Sequence, residues 1–311
     1  MMQSRVDWTL IAFPLNGVVP KVRVVSVWLL SILAFVLMTP VHAEPSIAPG
    51  LTLEAFGKQV FSDRRFSASG QTSCRSCHKP EFGFSDHRAV SIKDDGTATA
   101  LSTPALFNMK QKIGFFSLHP VFSLKAAVER CFKRNQNIDE TDIYGVLERD
   151  AGLSRFAIHN FGRASADVVY QSVAAYLKTI QTSNSRYDRY RQGELSALTY
   201  SEQSGMVLFE QKGCIYCHSG REMGGMAYSN SIDTHVNRDV QVLRLRNLSL
   251  TAPYFSDGSA QTLSEAIYRM SKRYSATPVS QSDLEKIRLF LLSNESSISD
   301  FEGPVRYENE R

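Results

Sequence analysis

The chain has 311 residues, 35 Lys and Arg against 31 Asp and Glu, and a net charge of +4. That length holds two modest domains or one large one, and so small a charge excess gives no sign of a nucleic-acid partner. Removal of residues 1–43 would take away Arg5, Lys21, Arg23 and Asp7 and leave +2, a balance that selects no particular partner.

At the N-terminus, Lys21 and Arg23 precede an apolar run, Val24–Met38, followed by Thr39-Pro40-Val41-His42-Ala43. A basic start, a short apolar core and a small residue before Glu44 have the form of a secretory signal peptide cleaved after Ala43. The 15-residue run is short for a membrane span, so an uncleaved anchor is the weaker alternative. Residues before Lys21 read as an upstream start.

Leu51–Phe61 places apolar residues on one helical stripe just ahead of Cys74-Arg75-Ser76-Cys77-His78. The same five-residue pattern returns at Cys214-Ile215-Tyr216-Cys217-His218, with 136 residues between Cys77 and Cys214. Two thiols at this spacing add across the vinyl groups of one porphyrin, and the adjacent histidine reaches the iron, so each motif reads as a covalent c-type haem site. A shared zinc is the alternative, but paired Cys-x-x-Cys zinc sites usually lie about 15 to 20 residues apart, not a domain apart. Two haem c groups are therefore the expected cofactors, attached through Cys74, Cys77, Cys214 and Cys217, with His78 and His218 as iron ligands. Cys131 is left over and reads as a small buried hydrophobe. Export to the bacterial periplasm suits both the leader and covalent haem.

Between the motifs, Val168, Val169, Val173, Ala174, Leu177 and Ile180 mark a central helix over 166–180 that joins the two halves. Ser201-Glu202-Gln203-Ser204 opens a helix running into the second motif. Thr262-Leu263-Ser264-Glu265 and Ser280-Gln281-Ser282-Asp283 are capping boxes, or an acidic variant, for helices that carry Met270 and Leu289–Leu292. The segment from Ser219 to His235, rich in glycine and methionine, reads as irregular loop. The fold class is all-α, with few strand-like stretches and with porphyrin supplying part of the apolar core.

Several further segments, in order, carry a family likeness. They are Gly57–Ser67 before the first motif, Lys79–Ser91 and Ser102–Asn108 after it, Ser185–Tyr190 before the second, and Leu245–Ser259 beyond it. With them, nearly the whole mature length resembles the bacterial di-haem cytochrome c peroxidases and their MauG-like relatives. The resemblance implies two cytochrome c-like α-helical domains facing each other, with hydrogen peroxide as substrate at the N-terminal haem. It also implies a small periplasmic electron donor, such as a cytochrome c or copper protein, at the C-terminal haem. The domain expectation is a signal peptide at 1–43, an N-terminal haem domain at 44–164, a connecting helix at 165–195 and a C-terminal haem domain at 196–311. A homodimer is the usual state of such relatives.

The electron-entry iron needs a second strong ligand. Met270 stands where relatives place an axial methionine; Met223, Met226, His235, Tyr254 and Tyr268 compete with it. The peroxide-reacting iron needs an open face and an acid/base group. Here the sequence departs from its relatives. Asp94 occupies the place of a removable distal histidine, Ser117-Leu118-His119-Pro120 that of Trp-Asp-Gly-Arg, Ala127 that of a glutamine and Asn137 that of the catalytic glutamate. Asparagine can orient a peroxide but cannot move its proton. His119 is the candidate replacement, as distal acid/base or iron ligand, with Glu129, Asp139 and Glu140 as further carboxylates. Trp8 and Trp28 both lie in the leader, so no mature tryptophan stands between the haems, and Phe115, Phe116 or a tyrosine is left to serve that route. A calcium ion between the domains, another implication of the resemblance, would take its oxygens from Ser102 and the carbonyls near Thr251 and Pro253. A non-catalytic di-haem carrier or redox sensor on the same scaffold is the second reading, and a structural metal protein a distant third.

Overall fold

A computed structural model describes residues 52–117, 119–182, 184–230 and 239–298. The segment read as a leader, both tryptophans and His235 lie outside these residues. Among the described residues the fold is helical, as the sequence implies. Ten α-helices are accompanied by one antiparallel two-stranded sheet, β1 (Tyr228–Asn230) and β2 (Asp239–Gln241), with Tyr228 opposite Gln241. No described helix is long and apolar enough to cross a membrane.

Helix α1 (Leu53–Ser62) starts where the Thr52 hydroxyl accepts the Ala55 N–H, and it buries Phe56, Gly57, Val60 and Phe61 on one stripe. It packs on α6 (Ala166–Thr179). The crossing is close because residue 57 is glycine: a Cβ there would lie 1.9 Å from the Ser172 carbonyl oxygen. The same device recurs downstream, where α8 (Tyr200–Gln211) crosses α10 (Gln281–Leu292) and a Cβ on Gly205 would lie 1.9 Å from the Lys286 carbonyl oxygen. Each glycine stands four residues before a buried phenylalanine, Phe61 and Phe209, on the same helical face.

Between these pairs come α2 (Cys74–Cys77), α3 (Leu124–Arg134), α4 (Glu140–Arg149), α5 (Ala151–Phe161) and α7 (Arg186–Arg191); α9 (Leu263–Tyr274) precedes α10. The caps foreseen at Thr262 and Ser280 are present, their hydroxyls accepting the N–H groups of Glu265 and Asp283. The opening of α8 is corrected. Its cap is Thr199, paired reciprocally with Glu202, so the helix begins ahead of Ser201.

Two hydrophobic clusters result. One gathers Phe56, Phe61, Phe132, Val169 and Leu177 with their neighbours, the other Phe209, Leu263, Ile287, Phe290 and Leu291. Helix α6, read from sequence as a link, has its apolar face within the first cluster. Residues 84–108 and 222–256 are tied by polar contacts. Arg244 donates to the carbonyls of Phe107 (2.7 Å) and Ala105 (3.2 Å), His87 Nε2 to Leu250 O (2.9 Å), the Ser102 N–H to Ser256 O (2.7 Å) and Asn108 Nδ2 to Glu222 (2.8 Å).

Candidate haem sites

Both Cys-x-x-Cys-His segments form a single tight helical turn, with the histidine N–H returned to the carbonyl of the first cysteine at 2.9 Å, for His78 on Cys74 and His218 on Cys214. In each motif both cysteines and the histidine line the same cavity. The two rings are then fixed alike. His78 Nδ1 donates to Phe84 O at 2.9 Å, and His218 Nδ1 donates to Met223 O at 3.3 Å. Phe84 and Met223 both have left-handed backbones, φ 60° and 50°, an uncommon state for such side chains that turns each carbonyl toward its imidazole. With Nδ1 engaged, Nε2 is the nitrogen available to a metal. Burial pulls both imidazoles below their ordinary pKa, which favours the neutral, ligating form. Phe61 lies 6.5 Å from His78 and Phe209 lies 6.4 Å from His218, centroid to centroid, so the glycine crossings hold an aromatic wall beside each ring.

None of the five cysteines is in a disulfide. Burial pushes Cys74 up to about 12 and raises Cys77 and Cys214, keeping them as thiols. Cys131 is also pushed up to about 12, by burial and then by the neighbouring Cys77; this protonated thiol suits a packing role and not a nucleophile.

Both motifs open on one cavity of about 970 Å³, at the upper end of small-molecule sites. Its walls include Phe61, Phe107, Phe115, Leu177, Phe209 and Ile287 beside Cys74, His78, Cys214 and His218. Apolar walls, thiols at vinyl spacing and an oriented imidazole at two places fit two covalent haem groups.

Of the described candidates for a second ligand at the downstream site, Met270 lines this cavity. Tyr254 also lines it, but its hydroxyl donates to Leu248 O at 3.1 Å. Met226 and Tyr268 are exposed side chains outside the lining, while Met223 is buried in the second cluster and contributes its carbonyl to His218.

At the upstream site, His119 lies on the rim, exposed, with its carbonyl accepting from Arg130, whose guanidinium covers the Phe116 ring at 5.1 Å. Ser117, Phe115 and Phe116 line the cavity where the relatives' tryptophan stretch was aligned. Asn137, aligned with the catalytic glutamate, is exposed outside the lining and bonds Asp95; its neighbour Gln136 lines the cavity instead. Glu129 and Glu140 pair with Lys133 at 2.7 and 3.1 Å, and Asp139 caps α4, so these three carboxylates are engaged at the surface. Asp94 lines the cavity. Its partial burial opposes the charge, but hydrogen bonds from Ser69 and Thr72 outweigh it and hold the carboxyl below its ordinary pKa; the Thr72 hydroxyl also lies 2.9 Å from the Gln136 amide. Ser102, Thr251 and Pro253 line the same cavity, and no group of three or more His, Cys, Asp or Glu side chains able to hold a metal ion occurs among the described residues. The calcium expectation thus rests on the resemblance alone.

Sequence reasoning missed Gln136, Arg130, Arg244 and Lys112 as cavity residues. None of the four belongs to a motif; the signal that went unread is a different one, the repeat Gly-x-x-x-Phe ahead of each Cys-x-x-Cys-His segment, Gly57 with Phe61 and Gly205 with Phe209.

Comparison with known proteins agrees with this build. A family model described as di-haem cytochrome c peroxidase matches residues 52–196. The chain is 26% identical over 290 residues to cytochrome c551 peroxidase of Nitrosomonas europaea, covering 86% of this chain and 87% of that protein. It is 26% identical over 269 residues to the methylamine utilization protein MauG of Methylophilus methylotrophus, covering 78% and 79%. Among solved structures, a MauG-like protein associated with microbial copper homeostasis superposes with a TM-score of 0.68 at 22% identity, over 82% of this chain and 95% of that one. A diheme peroxidase from Burkholderia thailandensis gives 0.60 at 18% identity, over 81% and 87%.

Proposed function

We propose that the chain is a member of the bacterial di-haem cytochrome c peroxidase and MauG-like family that it resembles, a periplasmic enzyme reducing hydrogen peroxide at the upstream site with electrons entering at the downstream site. The observation that carries this reading is the duplicated build: two Cys-x-x-Cys-His turns, each with its imidazole aimed by a left-handed carbonyl, opening on one cavity.

In this reading Cys74 and Cys77 would hold the first haem and Cys214 and Cys217 the second, with His78 and His218 as the iron-ligating imidazoles. When bound, the haems supply one-electron redox chemistry and an iron face for peroxide. The protein makes the two faces unequal. Met270 would supply a thioether to the downstream iron, whereas Met109, the methionine that lines the cavity in the upstream half, is buried in the first hydrophobic cluster. His119, on the rim of the upstream side, holds and releases the proton that peroxide cleavage requires; a group of this kind contributes typically 10²- to 10⁴-fold. Arg130, bonded to the His119 carbonyl, fixes that segment. The ionised Asp94, with Thr72 and Gln136, keeps one side of the same space polar. The electron donor would be a small cytochrome c or copper protein.

The test is peroxide consumption by the haem-loaded protein with a small cytochrome as donor, wild type against His119→Ala. Loss of about 10² or more in the variant, with both haems retained by pyridine haemochrome, supports the assignment. An unimpaired variant removes His119 from the mechanism. No consumption by wild type overturns the peroxidase reading and leaves a di-haem electron carrier.

A further inference from the structure

The charge of the cavity wall is lopsided. Seven Lys and Arg residues line it, and the sole Asp or Glu among its lining residues is Asp94. That carboxylate is held by Ser69 and Thr72 at the upstream rim. The imbalance is sharpest where the two halves meet. There Arg246 is spent on Asp188, with contacts of 2.6 and 2.9 Å. Arg244 is buried, stacks on Phe107 at 5.2 Å and donates to backbone carbonyls; its nearest carboxylate, Glu222, is 3.7 Å away and accepts from Asn108. Lys112 stands beside them. Its ammonium has no hydrogen-bond acceptor among the described residues, rests over the Phe115 ring at 5.7 Å and feels the positive charge of Arg244. Three cations therefore face two carboxylates, Glu222 and Asp188, with the Arg244 and Arg246 side chains largely buried and Lys112 half-buried on the cavity wall. An uncompensated buried charge is costly unless it loses its proton or meets an anion.

We infer that Lys112 and Arg244 form a cationic clamp for porphyrin carboxylates at the seam between the two halves. The inference rests on the haem reading above and concerns this chain's own residues toward that group. Each porphyrin brings two carboxylate side chains into a cavity whose wall offers almost none, so the sign of the charge matches. The neutralising tendency of Lys112 agrees with this, since burial and then Arg244 pull it down to about 7 within the protein alone; an adjacent carboxylate would restore the ammonium. Lys112 belongs to the upstream half and Arg244 to the downstream half, so the clamp also couples haem seating to the contact between them.

A cation beside a haem stabilises the reduced iron, and its removal lowers the reduction potential. The experiment is spectroelectrochemical titration of both haems in wild type, Lys112→Arg, Lys112→Gln and Lys112→Leu, with haem content checked by pyridine haemochrome. The clamp requires a fall in the midpoint potential of at least one haem in the Gln and Leu variants and near-wild-type values in the Arg variant. Thermal unfolding gives a second readout of opposite sign for the two cases. Leucine in place of an idle buried cation raises the unfolding temperature, whereas leucine in place of a carboxylate partner lowers it. Unchanged potentials with two haems per chain, or a raised unfolding temperature for Lys112→Leu, overturn the clamp. Absence of c-type haem from the wild type overturns the haem reading itself, and the two failures are thereby distinct.

Discussion

Substituting Gly57 with alanine tests whether the α1–α6 crossing sets the upstream site. The new Cβ would stand 1.9 Å from the Ser172 carbonyl oxygen and 2.4 Å from its carbon, against 3.4 Å for ordinary contact, so the helices must part by about 1.5 Å. A gap of that size forfeits a large share of the dispersion contact along the pair, and overpacking costs about 1 to 3 kcal/mol, occasionally more. Replacing a helical glycine returns roughly 1 kcal/mol of propensity. The net expectation is a loss of about 2 kcal/mol, or about 4 to 8 °C in Tm for a protein of this size. Gly145→Ala is the internal control. It lies within α4, and its added Cβ would meet the movable end of Arg149 at 3.3 Å, so propensity acts alone and Tm rises by about 2 to 4 °C. Differential scanning calorimetry of the haem-loaded variants reads both signs. Because Phe61 follows Gly57 by one helical turn and walls His78, the first substitution also alters the upstream haem spectrum, and Gly205→Ala the downstream one through Phe209. A Gly57→Ala protein as stable as Gly145→Ala would refute the close-crossing argument.

Two further outcomes follow from side chains in the downstream half. Glu295 is raised by burial to about 7, against which its hydrogen bonds from Ser249 work. Its folded-state pKa lies above the unfolded value, so it favours folding below about pH 4.5 and that contribution is lost as pH rises to about 7. Urea midpoints from pH 4.5 to 7.5 should flatten over this window in Glu295→Gln. Met270→Ala should shift the spectrum and potential of one haem and leave the other unchanged, whereas Tyr254→Phe should leave both unchanged; the reverse pattern would assign the ligand to Tyr254.

The parts of this protein that were legible in its sequence are those governed by covalent spacing or local hydrogen bonds. The two Cys-x-x-Cys-His turns are readable because thioether chemistry fixes their length, and the caps at Thr262 and Ser280 because a hydroxyl three residues before an acidic group satisfies an orphan N–H. The cap at Thr199 shows the limit of that rule: Ser201 and Thr199 both offer a hydroxyl, and the reciprocal bond with Glu202 decides between them. Positions set by tertiary approach were not legible. The family resemblance puts Asn137 in the glutamate's place, yet its backbone has a φ of 50°, its side chain bonds Asp95, and Gln136 lines the cavity instead. One residue of rotation exchanges the two faces, and no local pattern signals it.

Lys112 and Arg244 escaped for a related reason. Neither belongs to a motif, and their meaning arises only when a loop of one half meets a loop of the other. What the sequence did contain, and what a motif search passes over, is the repeat of Gly57 with Phe61 and Gly205 with Phe209. A glycine that lets two helices touch and a phenylalanine one turn later are together enough to place an aromatic ring beside a histidine more than a dozen residues from Gly57 or Gly205. The two halves therefore share a mechanical plan even where their distal residues differ. On the proposed haem reading, differences between the two sites would come from the other residues of the cavity wall: Met270 in the downstream half, and His119, Asp94 and Gln136 in the upstream half.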